Sequence, residues 1–213
     1  MPPVELSGRV VSLQVGQAAT VPFRGREVRT GIFKTPVEGP VALGAESFAN
    51  DVQVDRRYHG GQEKAVCVHP TEHWPAWEEL VGEPLPFGAF GENLSTSGLL
   101  ETTVHVGDTF TLGSAVVQVS QPRGPCFKLA ARWRRRRLPA AMAREGRSGW
   151  YFRVLETGEV RAGDELRLTG RVSDVPIAEV MRVTYVDRAD GEGRARVAAV
   201  PELAGEWRDA MGA

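Results

Sequence analysis

The sequence predicts a mainly β protein with added helices: a closed or partly closed barrel over residues 1–170, then a small three-helix module over residues 171–213. Two observations carry this. The first 170 residues contain many short runs of β-branched and aromatic residues, interrupted every few positions by Gly, Pro, Asn or Asp, which is the pattern of a small barrel. Near Arg171 the strand pattern stops and apolar residues take helical spacing. A hydrophobic content of 42% and a charged content of 25% are ordinary for a globular chain of 213 residues.

In order along the chain, residues 10–15, 28–34 and 40–43 read as strands separated by turn residues. Residues 64–69 alternate and read as a half-buried strand carrying Cys67. Residues 71–80 read as a helix, with Thr71 as N-cap and Gly82 past its end. Residues 103–119 read as two or three short strands that include His105. Residues 127–137 read as a helix that Pro139 ends. Residues 150–155 and 159–168 read as a hairpin around Thr157-Gly158. In the tail, residues 177–183 and those from Val197 onward have helical spacing. Pro201 stands in the first turn of a terminal helix reaching Met211, and residues 187–194 read as a solvated loop.

The net charge of -1 argues against a nucleic-acid-binding protein, so any anion site must be local. Lys34, Lys64 and Lys128 are the only lysines, and each therefore raises the question of a specific site. The two cysteines, Cys67 and Cys126, form no disulfide framework. The opening residues lack the pattern of a secretory leader and no apolar run is long enough for a bilayer, so a reducing, cytoplasmic location is expected.

Four segments could carry chemistry. In Gln121-Pro122-Arg123-Gly124-Pro125-Cys126 a strand meets a helix, and Cys126 stands at the helix N-terminus with Arg123 and Lys128 nearby. Such surroundings generally favour a thiolate that acts as nucleophile or metal ligand. A buried structural cysteine fits the local pattern equally well. In residues 50–66, His59-Gly60-Gly61 allows close backbone approach and an anion nest, while Asp51 and Asp55 read as groups that orient the neighbouring arginines and His59. Residues 87–94 present Glu92 and Asn93 from a glycine-rich turn. In residues 146–151, Arg147 and Ser148 between glycines could hold a phosphate. The run Arg132 to Arg137 reads as a solvated basic helix end rather than a nucleic-acid patch, because no aromatic platform accompanies it. His69 and His73 do not form a metal pair, since Pro70 separates them, and Trp74 and Trp77 read as packing residues.

Taken together these segments resemble the MOSC domain family, named after the C-terminal domain of molybdenum cofactor sulfurase, in its YiiM-like branch. The matching stretches are 32–41, 51–55, 59–66, 90–94, 121–126 and 146–151, in the family's order, and the tail resembles the branch's three-helix module. Asn50 replaces the family's usual glycine, and asparagine is a good substitute at a left-handed position. The resemblance implies a MOSC-type β-barrel that binds the molybdenum cofactor, with Cys126 as the molybdenum ligand. It also implies Lys34, Thr35, Asp51, Gly60, Gly61, Asn93, Arg123, Arg147 and Ser148 around the cofactor, and His59 as a catalytic proton donor. The activity implied is reduction of N-hydroxylated bases such as 6-N-hydroxylaminopurine to the amine, a detoxification. The alternative is a cofactor carrier or sulfur-transfer module without turnover. A reductase of this composition needs a separate electron-donor protein, because the chain has no iron–sulfur, haem or dinucleotide motif. The apolar face of Leu203, Trp207 and Met211 suits the barrel, a partner or a second protomer of a homodimer.

Overall fold

The computed structural model describes residues 5–212, apart from the side chains of Arg57 and Tyr58. The opening residues considered above for a leader lie largely outside that range. Twelve strands follow one another: β1 (Ser7–Val15), β2 (Ala19–Phe23), β3 (Arg26–Thr30), β4 (Thr35–Pro36), β5 (Val41–Leu43), β6 (Val66–Pro70), β7 (Leu94–Ser97), β8 (Thr109–Leu112), β9 (Ala115–Pro122), β10 (Trp150–Glu156), β11 (Gly158–Val160) and β12 (Glu165–Gly170). Seven of them close a barrel in the order β12-β8-β9-β10-β6-β7-β1, because β1 also pairs with β12. Only β6 and β7 run parallel among the named strand pairs. Register shifts in the β1–β7, β9–β10 and β8–β12 pairs bend the sheet, as closure of a small barrel requires.

Alternation sets the inside. Along β9, Ala115, Val117 and Val119 are buried while Val116 and Gln118 are half exposed. The interior holds Leu13, Val66, Leu94, Phe110, Trp150 and Phe152, all with no exposure. Each such side chain contributes roughly 1.5–3 kcal/mol by leaving water. Among the described residues the α-helices are α1 (Arg56–His59), α2 (Trp74–Val81), α3 (Phe127–Trp133), α4 (Leu138–Glu145), α5 (Ile177–Met181), α6 (Gly191–Ala198) and α7 (Gly205–Gly212). Trp77, Phe90, Leu129, Leu138 and Met142 form a second apolar cluster between α2, α3 and α4. The tail helices α5 and α7 put Ile177, Val180, Met181, Trp207 and Met211 into the same cluster as the barrel core, and the turn before α7 adds Leu203. No described helix is long and apolar enough to cross a membrane.

Several local expectations are corrected. The second strand is a hairpin, β2–β3, ending at Thr30, after which Ile32 packs against Gly91. Residues 150–155 and 159–168 do not pair with each other. Strand β10 takes β9 and β6 as neighbours, β11 pairs with β5, and β12 with β8 and β1. A closed barrel gives every wall strand two partners, and Gly158 diverts the chain to the β5 edge. Thr71 is not an N-cap: its hydroxyl donates to the Thr96 carbonyl at 3.0 Å, in a 3-10 turn before α2. Pro125 precedes the N-cap Cys126 and lies outside α3. Pro139 opens α4 rather than ending a helix, its missing N–H costing nothing in a first turn. His105 makes only an isolated bridge to Pro176. Helix α6 begins at Gly191, capped by the Asp190 carboxylate, so the loop is shorter than expected. Pro201 lies in the turn before α7. Arg132 is not solvated: it donates to the carbonyls of Ile32 and Gly88, both at 2.6 Å.

Candidate functional site

All three lysines of the chain line one cleft, at the end of the barrel where β9 finishes and β10 begins. Arg123, His59, Tyr151 and both cysteines share it. Lys34 follows the β2–β3 hairpin, Lys64 ends a 3-10 turn before β6, and Lys128 stands in the first turn of α3. Their side chains are only 8 to 9% exposed, and a carboxylate holds each one. Lys34 pairs with Asp51. Lys64 pairs with Glu206 at 2.6 Å and Lys128 with Asp55 at 3.3 Å. A nearly buried ammonium is stable only with such a partner, and the pairing aims each cation at the cleft.

Asp51 is the most connected of the three carboxylates. Besides Lys34 it accepts from the Gly16 N–H at 2.9 Å, the Ser47 hydroxyl at 3.2 Å and Asn93 Nδ2 at 2.9 Å. Asn50 makes the turn into it at a φ of 64°, the left-handed conformation expected for this position. Asn93 exchanges two hydrogen bonds with Cys67: its N–H donates to the Cys67 carbonyl at 2.8 Å, and its Oδ1 accepts from the Cys67 N–H at 3.1 Å. Asp51 and Asn93 thus lock β1, β6 and Lys34 together.

Arg123 is 5% exposed. Its Nη2 donates to the Phe90 carbonyl at 2.5 Å, while its Nη1 is buried with no partner among the described residues. An unsatisfied buried donor costs about 1–3 kcal/mol, and a guanidinium left this way on a cleft wall suits an anionic ligand. Behind it, the Ser148 hydroxyl donates to the Arg123 carbonyl at 2.7 Å and the Arg123 N–H to the Gly149 carbonyl at 3.0 Å. Gly149, at a φ of 80°, must be glycine, since a Cβ there would lie 1.9 Å from the Val68 carbonyl oxygen.

Cys126 is the N-cap residue of α3 and is half-buried on the cleft wall. Cys67 faces Tyr151 across the β6–β10 pair. Burial pushes the Cys67 thiol up, Arg123 opposing it and Glu92 reinforcing it, and the Tyr151 hydroxyl is raised well above its ordinary value, first by burial and then by Cys67. Both keep their protons at neutral pH. His59 is lowered to about 4 by burial first and then by Lys128, Arg123 and Lys64, with Asp55 opposing. Its ring is neutral near pH 7, so an imidazolium does not stand ready to give a proton. Glu92 is raised by burial although it accepts from the Gly88 and Phe90 N–H groups, both at 2.9 Å, and from Ser95 at 3.0 Å. It shapes the turn that presents Asn93.

Of the residues singled out from the sequence, Cys126, His59, Lys34, Asp51, Asn93 and Arg123 come together on the cleft. Thr35 is exposed on β4, paired with Val15. Gly60 and Gly61 sit behind His59, and the Gly61 N–H is taken by Gln53 at 3.0 Å, so no open nest forms there. Arg147 is 49% exposed and lies 3.8 Å from Glu145, off the cleft. Ser148 acts from behind, through Arg123. Lys64, Lys128, Cys67, Tyr151 and Glu206 are not among the residues that the resemblance implied around the cofactor. The scarcity of lysine marks Lys64, whereas nothing local marks Glu206, which arrives from a distant helix.

The sequence matches the MOSC domain over residues 55–167 and the YiiM-like, 3-alpha helix domain over residues 175–213. It is 42% identical to YflK of Bacillus subtilis strain 168, covering 93% of this chain and 90% of that protein. It is 35% identical to YiiM of Escherichia coli K12, covering 85% and 83%. A protein named Reductase from Gibberella moniliformis is 38% identical over 78% of this chain, a match spanning 30% of that longer protein. The crystal structure of YiiM from Geobacillus stearothermophilus superposes with a TM-score of 0.82 at 39% identity, covering 96% of this chain and 97% of that one.

Proposed function

From the premise that this chain belongs to the MOSC domain family, in its YiiM-like branch, we propose that it is a molybdenum-cofactor-dependent reductase of N-hydroxylated bases, acting in the reducing cytoplasm. One observation carries the reading: the three lysines and Arg123 converge on the cleft that holds Cys126. The molybdenum cofactor is a pterin with a dithiolene and a phosphate. The residues present fit such a group. Cys126 offers a soft thiolate ligand to the metal. Lys34, Lys64, Lys128 and the unpartnered Nη1 of Arg123 offer the positive charge for its anionic part.

When bound, the cofactor would supply the two electrons that cleave the N–O bond. The net change is R–NH–OH plus two electrons and two protons giving R–NH2 and water. The chain's own residues orient and exclude. The carboxylates of Asp51, Asp55 and Glu206 keep the lysines aimed. The neutral Tyr151 hydroxyl and neutral His59 ring offer hydrogen bonds without adding charge at neutral pH. The fungal relative named Reductase supports a redox role.

The test is metal analysis of the purified protein combined with reduction of 6-N-hydroxylaminopurine by a viologen dye. Stoichiometric molybdenum with amine formation is expected. A protein that binds the cofactor and forms no amine is the carrier or sulfur-transfer module instead.

A further inference from the structure

The reaction proposed above consumes two electrons, and no iron–sulfur, haem or dinucleotide motif in the chain supplies them. Residues 109–144 hold Arg123, Lys128, Arg132, the arginines at 134–137 and Arg144, without one aspartate or glutamate, in a chain of net charge -1. Arg123 and Lys128 face the cleft and Arg132 binds backbone carbonyls. Arg134, Arg135, Arg136 and Arg137 behave differently. All four are exposed, in the turn between α3 and α4 where Arg134 takes a φ of 52°. Among the described residues none of the four side chains has an ion pair or hydrogen bond. Other exposed arginines are mixed: Arg56, Arg161 and Arg196 each lie beside a carboxylate, whereas Arg9, Arg26 and Arg29 do not, but these are scattered along β1 and β3 and not gathered in one turn.

The run also has a fixed relation to the proposed metal ligand. Helix α3 has seven residues; it begins beyond its N-cap Cys126 and ends at Arg134. At 1.5 Å per residue the start of the run at Arg134 stands about 12 Å along the axis from Cys126. A carrier docked there would bring its redox centre to the same end of the barrel as the cleft.

We infer that the arginine run of residues 134–137 is the docking surface for an acidic electron-carrier protein, an inference that rests on the reductase reading. Unpaired, solvated arginines steer an acidic partner and suit its carboxylates. The carrier is oxidised by two electrons, delivered singly or together. The substrate N–O bond breaks, the leaving oxygen becomes water, and the protons come from solvent. A nucleic acid is less suited, since no exposed ring in the turn offers a base a stacking face. An anionic membrane is less suited because the turn presents no apolar face to insert.

The probe is flavodoxin, an acidic flavin carrier, with a [2Fe–2S] ferredoxin as the second carrier. Binding is measured on metal-free protein at low ionic strength. Wild type is expected to bind at least one carrier, and the affinity should fall with added salt. Arg135→Glu/Arg136→Glu is expected to weaken binding about tenfold or more, whereas Arg9→Glu, on an exposed site of β1, leaves it unchanged. In loaded enzyme the double variant should lose carrier-driven turnover and keep viologen-driven turnover. No binding of either carrier by wild type, equal affinity of wild type and double variant, or tighter retention of the run on phosphatidylglycerol vesicles or duplex DNA would each overturn the inference. Absence of viologen-driven turnover in wild type defeats the reductase reading alone, because the binding measurements still decide the docking surface.

Discussion

Lys64, on the cleft wall, is held by Glu206 of the terminal helix, Nζ to Oε1 at 2.6 Å. The same carboxylate oxygen accepts from Gln121 Nε2 at 3.3 Å. The tail therefore reaches the charge balance of the cleft, about 140 residues away in sequence from Lys64. Glu206 is 51% exposed, so the pair adds little stability. Its charge matters more to a ligand, because it partly neutralises Lys64. Glu206→Gln is expected to tighten binding of inorganic phosphate a fewfold and Lys64→Gln to weaken it. Arg147→Ala, off the cleft, should change nothing. Calorimetric titration of the metal-free protein checks all three.

The two cysteines should separate cleanly. Cys126→Ser is expected to lose bound molybdenum and turnover with the melting temperature nearly unchanged, since the side chain is half-buried. Cys67→Ser is expected to keep the metal and lose about 1–2 kcal/mol, through a hydroxyl placed in a buried site. In the metal-free protein iodoacetamide should modify Cys126 before Cys67, which is 5% exposed and whose thiol burial pushes up. Metal analysis, thermal melts and peptide mass mapping read these outcomes.

His59 gives the protein a dependence on acid. Unfolded, its ring titrates near 6.5; folded, it is lowered to about 4 by burial and then by Lys128, Arg123 and Lys64. The unfolded chain takes up the proton first, so stability from neutral His59 is complete above pH 6.5 and is lost as pH falls toward 4. Denaturant midpoints should drop across that window in wild type, and less so in His59→Gln. Bound phosphate should raise the His59 titration in an NMR series, because an anion offsets the neighbouring cations.

Truncation after residue 170 is expected to leave a chain that fails to unfold cooperatively. Ile177, Val180, Met181, Leu203 and Trp207 pack in one cluster with Val104, Val106 and Val119. The Ala204 N–H also donates to the Ser120 carbonyl at 2.9 Å, and the Ile177 N–H to the Val104 carbonyl at 2.9 Å. Loss of five large buried side chains amounts to about 10 kcal/mol, comparable to the whole stability of a domain. A truncated chain with a sharp thermal transition would instead establish residues 1–170 as an independent unit.

What the sequence by itself determined is local. Alternation in Ala115-Val116-Val117-Gln118-Val119 marked a barrel strand, because successive side chains must face opposite sides of a sheet. The strand-to-helix turn placed Cys126 at the start of α3, and Asn50 was legible as a left-handed position. The rarity of lysine marked Lys34, Lys64 and Lys128 as worth following. Tertiary structure decided what depends on contacts between distant residues. It chose the strand partners, since closing the barrel sent β10 to β9 and β6 and left no hairpin between β10 and β12. It separated Arg147 and Thr35 from the cleft while bringing Cys67 and Tyr151 into it. It gave Lys64 a carboxylate from α7 and left Arg123 Nη1 without one. Propensity and periodicity act over a few residues. Burial, partner choice and the charge around an ionisable group are set by side chains far apart in sequence, so they exist only once the chain has closed on itself.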